Sequence, residues 1–127
     1  MDSAQISQLT HDALSLLLDW GASLEQTAVI LGFPEDTRVR HIRRHFQGQA
    51  LPDDPQIIAR ARHVVYLGDA LRTTYPTNRQ MPALWMRSPH KRFSGRSPMQ
   101  RICQGDDDGL VAVITLLDCA YAWELNG

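Results

Sequence analysis

Apolar residues recur at steps of three and four along most of the chain. Ile6, Leu9, Ala13, Leu16 and Trp20 line one face of a helix. Gly21 stops that helix. Ser23 can cap the next one, because its hydroxyl can accept from a free amide of the first turn. Leu24, Ala28 and Leu31 form the expected buried stripe of this second helix, and Gly32 ends it. Phe33-Pro34 opens a turn, and Val39, Ile42 and Phe46 mark a third helix. Residues 48–55 (GQALPDDP) read as a linker, rich in glycine, proline and aspartate. A longer helix is expected from about residue 56 to residue 74, with Ile57, Ala61, Val64, Leu67, Leu71 and Tyr75 on its apolar face. Pro76 breaks it.

Residues 77–105 are choppier. Leu84-Trp85-Met86 reads as a short buried helical piece, and Ser88-Pro89 and Phe93-Ser94-Gly95 as turns. Ser97-Pro98 is a helix start, with serine as cap and proline in the first turn, and Gly105 ends that helix. Asp106, Asp107 and Asp108 then fall where a helix N-terminus favours negative charge. The last helix carries Leu110, Val113, Leu117 and Tyr121 and is expected to reach about Leu125. No alternating apolar run bounded by hairpin turns competes with this reading. The expectation is an all-α protein: an N-terminal helix-turn-helix subdomain over residues 1–55, packed against a C-terminal helical subdomain over residues 56–127.

Composition narrows the class. Apolar residues make up 43% of the 127, enough to bury a core and too many for a disordered chain. The formal net charge is −1, so no global field draws the chain to nucleic acid or to an anionic membrane, and any such contact must be local. No basic start followed by an apolar stretch marks a leader, and the apolar run over residues 110–119 is too short for a bilayer span. A cytoplasmic protein is expected. Cys103 and Cys119 have no metal-ligand spacing and read as small buried residues.

Charge returns to the picture in the third helix. Arg38, Arg40, His41, Arg43 and Arg44, with His45, form a basic patch after a helix and a turn. Such a helix can lie in the DNA major groove, its arginines reaching bases and phosphates. A solvated helix face is the plainer explanation of the same residues. His41 and His45 share a face, but no glutamate base or third ligand accompanies them, so no metal is expected. No phosphate-cradling glycine loop, nucleophile motif or carboxylate pair is present either. The aspartate run lacks the alternating spacing of a calcium loop. Neither an enzyme nor a cofactor is expected.

The C-terminal half holds an ordered series: Ala83-Leu84-Trp85-Met86, Ser88-Pro89, Phe93-Ser94-Gly95, Ser97-Pro98-Met99, Gly105, and the helix over residues 110–118. Upstream stand Phe46-Gln47-Gly48, Leu51-Pro52, and Arg60 within a long helix. In order and spacing this series resembles the Xre/MbcA/ParS-like antitoxins with their C-terminal toxin-binding domain, over roughly residues 24–118. The chain departs from that pattern at His90, where the family usually has asparagine, and in the tail 120–127. The resemblance implies direct neutralisation of a cognate toxin, usually a RES-domain enzyme that consumes NAD. It also implies repression of the chain's own operon, as a homodimer or within a hetero-oligomer with the toxin. A stand-alone helix-turn-helix regulator is the alternative. The residues expected to meet a toxin are Trp85, Met86, Arg87, His90, Lys91, Arg92, Phe93 and Arg96. Their basic, partly apolar character suits a partner with an acidic groove.

Overall fold

A computed structural model describes the backbone of residues 1–126 and the side chains of residues 1–119. It is all-helical, with no strand among the described residues. The helices are α1 (Ser3–Asp19), α2 (Leu24–Leu31), α3 (Val39–Phe46), α4 (Pro55–Thr74), α5 (Met81–Arg87), α6 (Pro98–Ile102) and α7 (Gly109–Asn126), with a 3-10 turn at Lys91–Phe93 between α5 and α6. No described helix is long and apolar enough to cross a membrane.

Side chains close the helix ends. Ser23 and Gln26 form a reciprocal capping box at α2, and Ser97 and Gln100 form another at α6, with Pro98 in the first turn. Asp2 with Gln5 does the same for α1, and the Asp54 carboxylate accepts from the Gln56 and Ile57 amides at the start of α4. Gly21 and Gly32 follow α1 and α2 in the left-handed region, at φ +85° and +79°.

The long helix α4 is the axis of the molecule. It packs on α1 along one side and on α7 along another, and also meets α2 and α5. Its expected stripe is buried from Ile57 to Leu71, and Tyr75 is half-buried. Gly68 lets α1 come close: a Cβ there would lie 2.4 Å from Leu16 Cδ1. The core is one continuous cluster. It includes Leu17 of α1 and Trp20 just after it, Ile30 and Leu31 of α2, Val64 and Leu67 of α4, Met86 of α5 and Val113 and Leu117 of α7.

Several expected positions shift. In α2 the fully buried residues are Thr27, Ile30 and Leu31, whereas Leu24 and Ala28 are half-buried. The stripe is rotated because α2 also has to face α4, not only α3. Leu84 is exposed although its neighbours Trp85 and Met86 are buried. Successive side chains on a helix point about 100° apart, so three in a row cannot all face the core that α4 and α6 supply. Cys119 is exposed and Cys103 half-buried, so neither is the fully buried residue expected. Burial pushes the Cys103 thiol upward. Tyr121 and the tail lie outside the described side chains.

Candidate functional site

Helix α3 turns its apolar edge inward through Ile42, with His45 buried beside it and Val39 and Phe46 half-buried. His45 Nδ1 lies 2.9 Å from the Gln49 carbonyl oxygen, and its ring packs 5.6 Å from that of Phe33. That ties His45 to the core and separates it from exposed His41. At about 100° per residue, Arg40 and Arg44 stand opposite Ile42, with His41 and Arg43 on the flanks. These four and Arg38 are all exposed, and among the described residues none forms an ion pair. Arg43, Arg44 and His45 fall in the last turn, where the helix dipole favours cations. The α2–α3 connection spans residues 32–38, longer than the turn of about three to four residues in a standard helix-turn-helix.

The second cationic group lies between α5 and α6. Trp85 and Met86, expected at a contact surface, are 7% and 0% exposed and belong to the core. They anchor what lies above them. The His90 ring packs on Trp85 at 5.1 Å, with its Nε2 buried and without a hydrogen-bond partner among the described residues. The His90 amide donates to the Arg96 carbonyl, while the Phe93 and Gly95 amides donate to the His90 carbonyl, each at 3.1 Å. Ser94 and Gly95 take positive φ, +57° and +83°, to let the chain reverse. This closed loop presents Lys91, Arg92 and Arg96 to solvent, with Phe93 half-buried beneath them. Arg87 is also exposed, but its guanidinium turns back: Nε donates to the Trp20 carbonyl at 3.2 Å. Gly21 makes room for it, since a Cβ there would lie 2.1 Å from Arg87 Nη2. Arg87 therefore holds α5 against the end of α1.

Arg60 gained no structural role in the sequence reading. It sits on the inner side of α4 with its side chain 9% exposed, and its guanidinium meets two other elements. Nη1 donates to the carbonyls of Val29, Ile30 and Gly105 at 3.3, 3.4 and 3.1 Å. Nη2 pairs with Asp107 at 2.7 Å. Carbonyls at the end of a helix run short of helical partners; here the Gly32 amide reaches that of Val29 at 3.2 Å, and the buried cation adds a donor to Val29 and Ile30. The aspartate run thus does more than precede α7. Asp107 answers Arg60, and Asp106 takes a two-pronged bond from Arg101 at 2.7 and 3.1 Å. The Arg101 guanidinium holds the Asp106 carboxyl below its ordinary range. The available signal was an arginine at position 60, three residues after Ile57 on a stripe otherwise apolar.

Residues 70–120, fewer than half of the chain, match the family model described as the antitoxin Xre/MbcA/ParS C-terminal toxin-binding domain. The match runs from the last turn of α4 through α5, the cationic loop and α6 into α7. It supports the resemblance to Xre/MbcA/ParS-like antitoxins read from the ordered series, and with it the class: an antitoxin with a toxin-binding domain. No curated protein matches the chain.

Proposed function

We propose that the chain neutralises a cognate toxin in the cytoplasm by direct binding, with Lys91, Arg92 and Arg96 as the first contacts. The observation carrying this reading is the position of the closed cationic loop inside the segment that matches a toxin-binding domain. Charges on a rigid loop steer encounter with an acidic surface and fix its register. The partner is a RES-domain, NAD-consuming enzyme, and the chain acts by covering the entrance to its active site, with no chemistry of its own. Trp85 and Met86 act beneath this surface by supporting it. Co-expression with the product of the adjacent gene tests the reading: wild type should form a stable complex and restore growth. The triple variant Lys91→Glu, Arg92→Glu, Arg96→Glu should remain folded and lose both. Rescue by the triple variant would refute the assigned surface.

A second role rests on the outward cations of α3, which have no ion-pair partner among the described residues. The residues 1–55 unit binds the operator of its own operon, as a homodimer or within the toxin complex, since a two-fold protein matches a palindromic site. Arg40→Ala with Arg44→Ala should weaken a salt-dependent gel shift on the promoter and leave toxin rescue intact. A shift unchanged by that pair would rule out α3 as the reading helix. Promoter binding without any toxin complex would favour the stand-alone regulator.

A further inference from the structure

One joint ties the end of α2 to the segment that matches the toxin-binding domain. Arg60 of α4 bonds the last turn of α2 on one side and the 105–107 turn before α7 on the other. The fit is close. A Cβ on Gly32 would lie 3.2 Å from Arg60 Cζ, and a Cβ on Gly105 would lie 2.7 Å from Val29 Cγ1. Gln56 adds a 3.3 Å bond from Nε2 to the same Asp107 oxygen that Arg60 holds. The two partners differ sharply in access. The Arg60 side chain is 9% exposed and that of Asp107 is 82% exposed. Asp107 is therefore the half of the joint that solvent or a docking protein can reach.

We propose that this joint is a latch through which the state of the 105–109 turn sets the order of α2 and α3, and so the affinity of the α3 cations for a polyanion. The argument is one of compensation. With Asp107 in place, the buried guanidinium has a carboxylate on Nη2 and three carbonyls on Nη1. With Asp107 drawn away, a nearly buried cation keeps carbonyl dipoles and the more distant charge of Asp106 but no bonded carboxylate, which is costly. The guanidinium then relaxes toward water, the Ile30 carbonyl loses its side-chain donor, and the Val29 carbonyl keeps only the Gly32 amide. Both sides of the joint open together, and α3, carried by α2, loses its fixed direction. The link to nucleic acid rests on the second role proposed above. The coupling itself does not.

Two measurements on the full chain separate these. In native-state hydrogen exchange, Asp107→Asn should speed exchange of the Gly32 and Phe33 amides that close the end of α2 and of the Ala112 amide of α7 together, by about tenfold. The Trp20 amide at the end of α1 should stay unchanged. Arg60→Lys keeps the charge but cannot span three carbonyls and a carboxylate, and should give the same paired loss. Faster exchange confined to the α7 side overturns the latch. The second measurement is affinity for a duplex of the chain's own promoter at low salt. Removing a negative charge should by itself tighten polyanion binding, as Asp19→Asn at the far end of α1 should do. The latch gives the opposite sign, with Asp107→Asn several-fold weaker than wild type. Tightening equal to that of Asp19→Asn overturns transmission to α3. A wild-type chain that binds no duplex refutes the DNA role, and the exchange result then decides the coupling alone.

Discussion

Two buried threonines show how much one hydroxyl depends on its surroundings. Thr10 Oγ1 donates to the Ile6 carbonyl at 2.7 Å and accepts the Leu51 amide at 2.9 Å, pinning the linker before α4 onto α1. Thr27 is fully buried in α2 and its hydroxyl has no partner among the described residues. The same near-isosteric substitution should act in opposite directions. Thr10→Val strands a buried amide and should cost about 1–3 kcal/mol. Thr27→Val removes an unsatisfied buried hydroxyl and should stabilise by about 1 kcal/mol. Urea unfolding of the two variants checks the sign of each. Equal signs would mean that hydroxyl partnering does not govern these sites. Neither role was legible in the sequence, because a threonine at a buried helical position looks the same whether or not a distant amide reaches it.

At the scale of elements, helix ends were the most legible part. Ser23, Gly32, Ser97-Pro98 and Gly105 act through bonds a few residues away, so their positions alone announce them. The α4 stripe was legible for the same reason. The rotation of α2 was not, since periodicity gives the period of a face and not which neighbour claims it. The candidate site divided likewise. The exposed cations of α3 and of the 91–96 loop could be named from their spacing. The inward turn of Arg87 and the burial of Trp85, Met86 and Arg60 depend on residues far along the chain. Gly32 joins both kinds of information. Its left-handed φ ends α2, and its missing Cβ leaves space for Arg60. Gly32→Ala should cost about 1–2 kcal/mol from the backbone conformation alone. A thermal melt should show a clear fall in Tm, and an unchanged Tm would mean that α2 can end in another conformation.

Across the whole molecule, α4 decides how the parts cooperate. Its buried stripe serves α1, α2, α5 and α7 at once, and the core runs without a break from Leu17 to Leu117. The unfolding transition should therefore be single. Far-UV circular dichroism and tryptophan fluorescence should give coincident midpoints in urea, because Trp20 and Trp85 sit in the same cluster. Two separated midpoints would show that the halves fold independently. The loop carrying Lys91, Arg92 and Arg96 has a further consequence at this scale. Its reversal is already held by the bonds between His90, Phe93, Gly95 and Arg96. A segment shaped before its partner arrives surrenders little conformational freedom on docking. Capture is then limited by how often the two molecules meet, and those meetings are gathered by charge and thinned by salt. Under the proposed toxin-binding role, capture is quick in dilute salt and slows as ionic strength rises.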